Sequence, residues 1–169
     1  MHGMVHDENS FTFTEEGGGA GLFSTAKDLH QYTQMLLKEG ELNGVRILTQ
    51  ESVLEMLKNQ NPLSLTPRGL GWKIKKPLSI LNKTSLAWSC GPNYPDDSCG
   101  HTGFTVTSLW FDPISKQIII TLSNRDNLSI ENNFEAIKRF RVKLHGLLNL
   151  NNSSRRVKPL KPTSVVTHE

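Results

Sequence analysis

Apolar residues recur at helical spacing in three stretches of the chain. The first predicted helix covers about residues 25–39 and ends at Gly40, and the second covers about residues 50–59, after Thr49 as N-cap. The third covers about residues 130–148. The positions that this spacing turns inward are Leu29, Tyr32, Leu36 and Leu37, then Val53, Leu54 and Leu57, and in the third helix Phe134, Ile137, Phe140, Leu144, Leu147 and Leu148.

Strand-like patterns lie between the second and third helices. Residues 70–74 and 105–111 are rich in residues that favour strands, and residues 117–123 hold a continuous apolar run typical of a buried strand. Asp112-Pro113 opens a turn, so the last two strands are predicted to form an antiparallel hairpin. Residues 1–16 are polar and are expected to be irregular. The elements predict an α/β (α+β) fold with an antiparallel sheet covered by the C-terminal helix.

Charge and hydropathy narrow the classes of function. The chain has 169 residues and a formal net charge of +3, with no apolar run near the ~18 residues of a membrane helix, so we expect no membrane span. Basic residues are concentrated in the last third, which is typical of nucleic-acid or anionic-membrane binding. No aromatic residues are interleaved with them to stack on bases. We therefore favour the interpretation that these basic residues lie on a solvated helix face and in a frayed C-terminal end.

Neither a metal nor a cofactor is expected. Cys90 and Cys99 have no paired histidines that would make a zinc site. They could close a small disulfide loop in an exported protein or stay free in a cytosolic one. The glycine run at residues 17–21 is a poor match to a dinucleotide-binding turn, because the third glycine of G-x-G-x-x-G would fall at Ser24. No leader of basic and then apolar residues is visible, and the compartment is left open.

The most informative stretch is residues 98–113, where two glycines bracket His101 and Thr102. Gly100 and Gly103 carry no Cβ and allow a close backbone approach, while His101 and Thr102 place a titratable nitrogen and a hydroxyl side by side. His101-Thr102-Gly103-Phe104 resembles the K-T-G motif of serine β-lactamases and penicillin-binding proteins. The branch it is most similar to is that of class C-type β-lactamases and related esterases, where histidine can replace the lysine.

Other segments carry the same resemblance, so that it extends from about Val5 to the last predicted helix. They are Val-His-Asp-Glu-Asn at residues 5–9, Gly-Ala-Gly-Leu-Phe-Ser-Thr at 19–25 and Leu-Asn-Gly-Val-Arg-Ile-Leu at 42–48. The resemblance covers the second half of the family's fold. It implies an incomplete β-lactamase/transpeptidase-like fold, with residues 1–69 as part of a helical subdomain and 70–148 as the sheet with its C-terminal helix. The composition of residues 149–169, rich in Asn, Ser, Pro, Arg and Lys, predicts a disordered basic tail.

The resemblance also implies the roles of individual residues. His101 and Phe104 would belong to the catalytic region, with the N–H of Phe104 as one of two oxyanion-hole donors. Thr102 would hydrogen-bond the substrate's carboxylate or carbonyl, and Gly103 and Asn124 would line the substrate site. For the Asn124-Arg125 pair, a salt bridge at a strand end is an equally good interpretation.

The nucleophile that this chemistry requires is not evident. Ser24-Thr25-Ala26-Lys27 matches S-x-x-K, but Thr25 with Asp28 fits a capping box, which we favour. The chain is therefore interpreted either as the C-terminal part of a serine hydrolase acting on a β-lactam, an ester or a D-amino-acid peptide, or as a non-catalytic truncated remnant that binds a partner. Expected partners are a small acyl substrate and a missing N-terminal half, or self-association through exposed sheet edges, and no nucleic acid.

Overall fold

The computed structural model describes residues 5, 7–12, 19–76, 90–91, 94–103, 105–123 and 134–150, and these form a mixed α/β structure. The described helices are α1 (Glu8–Thr12), α2 (Ala26–Leu37), α3 (Gln50–Leu57) and α4 (Phe134–Leu150). The described strands are β1 (Glu41–Leu42), β2 (Val45–Arg46), β3 (Lys73–Ile74), β4 (Cys99–Thr102), β5 (Ser108–Phe111) and β6 (Ile118–Thr121). Most of the basic tail, residues 151–169, lies outside the described residues.

The strands form two antiparallel sheets. β1 and β2 pair in a small hairpin between α2 and α3, and the main sheet has the order β3-β4-β5-β6. Its register places Lys73 opposite Gly100, and Gly100 opposite Trp110. The predicted hairpin is confirmed as β5 and β6, with the buried Asp112 holding the turn by accepting the N–H of Ile114 at 3.0 Å.

All three predicted strands are shorter than the sequence indicated, and β6 covers Ile118–Thr121 of the predicted 117–123. A turn precedes β5, in which Gly103 donates its N–H to the carbonyl of Thr107 at 2.8 Å. The strand β5 therefore covers only the second half of the predicted strand at 105–111. Val106 in this turn has φ +79°, which is rare for a β-branched residue. The predicted strand at 70–74 is reduced to Lys73–Ile74, because Gly71 has φ +80° and a local turn precedes it.

Each face of the main sheet supports its own apolar cluster. The front face carries Ile74, Cys99 and Phe111, which pack with buried residues of α2 and α3 such as Leu36 and Val53. The back face carries Trp110 and Ile119, which pack with Cys90 and Tyr94. Tyr94 in turn contacts His145 of α4, with ring centroids 5.9 Å apart. The two helices α2 and α3 therefore cover the front, and α4 packs behind the sheet through Tyr94.

The prediction of which residues of the last helix face inward is wrong for most of the side chains that the structure describes. Phe140, Leu147 and Leu148 are exposed, whereas Arg141 and His145 are buried. The helix thus buries two polar residues, four positions apart, on the side where His145 contacts Tyr94 of the back-face cluster. The side chains of Phe134 and Ile137 lie outside the described residues, and Leu144 is half-buried.

Smaller corrections concern the other helices. The predicted helices at 25–39 and 50–59 are confirmed within two residues at each end. Leu54, predicted to face inward, is exposed, and so is Tyr32. The N-terminal region contains the short helix α1, which its polar composition did not indicate; Asp7 caps it by accepting the N–H of Ser10 at 3.0 Å.

Thr25 caps α2, which confirms the predicted capping box at Thr25 and Asp28 within the S-x-x-K match. The Thr25 hydroxyl accepts the N–H of Asp28 at 3.2 Å and donates to the Asp28 carboxylate at 2.8 Å. We expect Thr25→Ala to lower the free energy of unfolding by about 1 kcal/mol, because a first-turn N–H loses its partner. Ser24→Ala, one residue earlier at an exposed position, is the control and should leave it unchanged. Urea denaturation measures both; equal losses would contradict the cap.

Candidate functional site

The residues singled out by sequence lie at the end of β4. Cys99 and Gly100 are buried and anchor the strand, while His101 is exposed and Thr102 is half-buried. Side chains alternate along a strand, so His101 shares the front face with Cys99, and Thr102 shares the back face with Gly100. The expectation that the two groups lie side by side is therefore corrected: they flank the strand end from opposite faces.

His101 is held in one tautomer by its two hydrogen bonds. Its Nε2 lies 3.2 Å from the guanidinium of Arg68, which can only donate, so Nε2 accepts. Nδ1 therefore carries the proton and donates to the carbonyl of Thr102 at 3.0 Å. Burial lowers the pKa of His101 below its ordinary value, and the charges of Lys73 and Arg68 lower this pKa further. His101 is thus a neutral imidazole whose basic nitrogen is already occupied.

Arg68 is fixed by the loop that follows α3. Its N–H donates to the side-chain oxygen of Asn59 at 2.9 Å, and its carbonyl accepts the N–H of Gln60 at 2.7 Å. It also forms an isolated β-bridge with Lys73, which ties the loop to the first strand of the sheet. The backbone from which the guanidinium reaches His101 is therefore ordered by hydrogen bonds on both sides.

Lys73 reaches the same strand end from β3. Its ammonium donates to the hydroxyl of Thr102 at 2.9 Å, and the residue is only 8 % exposed. Burial lowers the pKa of Lys73, and the positive charges of Arg68 and Arg141 lower this pKa further. The positive charges of Arg68 and Arg141 thus lower the pKa of Lys73, and those of Lys73 and Arg68 lower the pKa of His101.

The remaining predicted site residues are only partly placed. Gly103 is exposed and begins the turn after β4, where an added Cβ would collide with the hydroxyl of Thr107. Phe104 and Asn124 lie outside the described residues. Their predicted roles, as an oxyanion donor and a substrate-lining residue, stay predictions.

The other candidate reactive side chains are those of the S-x-x-K match and the two cysteines, and none of them contacts His101 or Thr102 in a hydrogen bond that the structure describes. Ser24 and Lys27 are both exposed at the start of α2. Cys90 and Cys99 form no disulfide with each other. Both are buried, Cys90 on the back face and Cys99 on the front face, and burial raises the pKa of each thiol to about 12. Both thiols are therefore protonated at neutral pH. Within the described ranges, no three His, Cys, Asp or Glu side chains group to hold a metal ion, and no described helix is long and apolar enough to cross a membrane.

Comparison with known proteins shows the family to which this chain belongs. The β-lactamase family model matches residues 2–140, and the chain belongs to the β-lactamase family. Its relatives include proteins named "Putative D-alanyl-D-alanine carboxypeptidase" from Salmonella paratyphi B (strain ATCC BAA-1250 / SPB7) and Salmonella newport (strain SL254). Each is 29% identical over 133 residues, covering 78% of this chain and 29% of the relative. The chain thus spans less than a third of the length of these relatives.

Sequence reasoning missed Arg68 and Lys73 as parts of this site. Each is a single basic residue near a predicted strand, which on its own is typical of a solvated surface. The contact between Lys73 and Thr102 depends on the register of β3 against β4, two strands that a long connection separates in the chain. The sequence interpretation also placed His101 and Thr102 side by side, because the motif drew attention to their adjacency and the alternation of side chains along a strand was not applied to them.

Proposed function

We propose that this chain is the substrate-binding, C-terminal part of a β-lactamase-family serine hydrolase that transfers the acyl group of a β-lactam, an ester or a D-amino-acid peptide. The observation that carries the proposal is the end of β4, where the half-buried hydroxyl of Thr102 is oriented by Lys73. This hydroxyl lies between His101 and Gly103, which are both exposed among the described residues. The names of the curated relatives favour the D-amino-acid peptide among these substrates.

Acyl transfer requires a nucleophile and a base beside it. His101 does not supply the base, because Arg68 occupies its Nε2 lone pair. Ser24 is exposed beside a residue whose hydroxyl caps α2. The role that fits the strand end is to hold the carbonyl and to stabilise the oxyanion, with the N–H of Phe104 as the expected donor; losing such a donor typically costs about 3 kcal/mol of transition-state stabilisation. In this proposal the reactive serine comes from a segment other than these residues.

The chain alone is therefore expected to be hydrolytically inert. Nitrocefin and p-nitrophenyl acetate should turn over at the background rate, and intact-protein mass spectrometry should show no acyl adduct after incubation with benzylpenicillin. If the gene's reading frame upstream supplies an S-x-x-K segment and a Tyr-x-Asn motif, the extended product should hydrolyse nitrocefin, because the nucleophile and its base are then present.

Ser24→Ala is the matched control for this measurement. Turnover by the chain alone that disappears in Ser24→Ala, or an adduct mapped to Ser24, would show that this serine is the real nucleophile. An extended product that carries both motifs, folds and still fails to react would contradict acyl transfer itself.

A second candidate is a non-catalytic module that binds a partner through its open surfaces. Within the described part of the chain β6 is an edge strand, and edge strands present unpaired backbone groups. On α4, Phe140 and Leu147 are 55 % and 65 % exposed. Size-exclusion chromatography with light scattering tests this interpretation. Self-association that is lost in Leu147→Glu but kept in Leu63→Glu, a still more exposed loop position, would favour it. A monomer at all concentrations would contradict self-association.

A further inference from the structure

We propose that Arg68 is a positioning residue that acts through His101: it selects the ring tautomer whose Nδ1–H fixes the carbonyl of Thr102 at the end of β4. The inference rests on the proposed function, because the strand end that is fixed in this way is the one taken to hold the acyl group. It assigns His101 the task of orienting the backbone in place of a contact with the substrate, and it makes that task dependent on pH.

Arg68 reaches His101 from a loop that is already ordered. Its N–H donates to the side-chain oxygen of Asn59 at 2.9 Å, and its carbonyl accepts the N–H of Gln60 at 2.7 Å. The guanidinium lies 3.2 Å from Nε2 of His101 and has donors only. Nε2 must therefore be the unprotonated nitrogen, and the proton of the neutral ring is placed on Nδ1.

The carbonyl of Thr102 lies beyond the ladder that joins β3 and β4. The N–H of Gly103 is directed toward β5, and consecutive residues of a strand direct their backbone groups to opposite sides, so the carbonyl of Thr102 points toward β3. The register places Lys73 opposite Gly100. Two residues further along, Gly71 would face Thr102, but it precedes β3, and its φ of +80° takes it out of the strand conformation. The donor for this carbonyl therefore has to come from a side chain.

The Nδ1–H of His101 supplies this donor at 3.0 Å. It holds the carbonyl of the peptide unit between Thr102 and Gly103, while the N–H of the same unit donates to the carbonyl of Thr107 at 2.8 Å. A peptide unit is planar, so two hydrogen bonds at its opposite ends set its orientation. The expected oxyanion donor, the N–H of Phe104, follows one residue later in the chain. The ring therefore affects the proposed acyl site without touching the substrate.

The charges around His101 make this arrangement sensitive to acid. Among the described residues, the charged groups that face the ring are Lys73 from β3 and Arg68 from the loop after α3, and both are cations. Burial and these two charges lower the pKa of His101 below 6.5, while the bond to the Thr102 carbonyl raises this pKa. A protonated Nε2 cannot accept from Arg68. The neutral ring above its folded-state pKa therefore makes the link, which is lost as the pH falls through that pKa.

Nuclear magnetic resonance of the ¹⁵N-labelled chain tests the role of Arg68 without any need for turnover. At pH 7 the ring nitrogens of His101 should show a single tautomer, with the proton on Nδ1. Arg68→Met removes the donor, so the ring should become a mixture of tautomers, and hydrogen exchange of the Gly103 amide should accelerate about tenfold. Arg68→Lys keeps a donor and should keep the single tautomer. Lys38→Met removes a positive charge from an exposed position at the end of α2 and should change neither readout.

Two substitutions of His101 separate its hydrogen bond from the bulk of its ring. The side-chain nitrogen of asparagine lies as many bonds from the backbone as Nδ1 does, whereas that of glutamine lies one bond further out. His101→Asn should therefore keep the slow exchange of the Gly103 amide, and His101→Gln should lose it. In the His101→Asn background, Arg68→Met should have no further effect on this exchange, because the ring that joins the two positions is gone.

The pH profile of ligand binding tests the consequence for the proposed acyl site. The probe is the C-terminal amide of N-acetyl-D-alanyl-D-alanine, which is neutral, so its affinity does not depend on a carboxylate. We expect its affinity for the unsubstituted protein to fall about threefold or more between pH 7 and pH 5, because protonation of His101 releases Arg68. The affinity should stay level over this range in His101→Asn.

A His101 ring that carries its proton on Nε2 would overturn the inference, as would a folded Arg68→Met that keeps the single tautomer and the slow exchange. Equal exchange in the two His101 variants, or an affinity for the amide that does not change with pH, would also overturn it. If Arg68→Met does not fold, Arg68→Lys and the two His101 variants decide.

The role of Arg68 and the proposed function fail in different ways. A chain that binds no amide at any pH, or an extended product that does not acylate, would contradict the proposed function. The tautomer of His101 and the exchange of the Gly103 amide would still decide whether Arg68 orients the strand end. Conversely, an extended product that acylates while Arg68→Met leaves both readouts unchanged would support acyl transfer and refute the role of Arg68.

Discussion

Gly100→Ala is expected to destabilise the protein by about 3 kcal/mol or more, enough to unfold a marginal domain. A Cβ at this position would overlap the ring of Trp110 and lie 2.5 Å from the backbone carbonyl of Leu109, which cannot move without breaking the β4–β5 pairing. Trp110 is fully buried at the centre of the back-face cluster, so it has no free space to enter. Chemical denaturation measures the loss directly.

Gly146→Ala is the matched control for this substitution. Gly146 lies within α4, and a Cβ there would meet nothing within 4 Å, so the change should stabilise the protein by about 0.5–1 kcal/mol through helix propensity. A Gly100→Ala protein as stable as the unsubstituted one would show that the close approach of Trp110 to the strand is not required.

Acidification is expected to cost about 3 kcal/mol of stability through His145 alone. The ring is fully buried beside Tyr94, and burial lowers its pKa to about 4 from an ordinary value of 6.5. Below pH 6.5 the unfolded chain binds a proton that the folded chain refuses, so stability falls as the pH falls from 6.5 to 4. A hydrogen bond with the backbone of Cys90 raises the pKa of His145 and opposes the effect of burial, and the positive charge of Arg141, a smaller effect, lowers this pKa further.

His145→Leu should flatten this dependence, because a leucine has no proton to bind and no buried polar atoms. The unfolding free energy is measured at pH 7 and pH 4.5 for this variant and for His30→Leu, whose parent side chain is exposed on α2. His101, whose pKa burial also lowers, contributes a remaining slope of the same sign. A pH dependence that is unchanged in His145→Leu would mean that this histidine is not protonated during acid unfolding.

The sequence predicted those elements whose signals are local. Thr25 and Thr49 cap α2 and α3 as their residue types indicate, and the turn after Asp112 joins two strands as predicted. Each of these features depends on residues within a few positions of one another. The extent of the strands was predicted less accurately, because the turn closed by Gly103 and Thr107 takes up the start of a run whose composition favours a strand throughout.

Features that depend on tertiary packing could not be predicted. The periodicity of α4 indicated an apolar inward face, yet the sheet selects Arg141 and His145 for burial and leaves Phe140 and Leu147 exposed. In the candidate site, the motif identified Thr102, but its partner Lys73 follows from strand register, which periodicity does not encode.

The central claim is that the end of β4 holds the acyl group of the substrate, and chemical-shift mapping with benzylpenicillin tests it most directly. The account predicts that the largest amide shifts of the ¹⁵N-labelled chain occur at Thr102, Gly103 and Phe104, and that they saturate as the ligand is added. Shifts that are largest at Ser24 and Lys27, or that leave the end of β4 unchanged at saturation, would contradict it.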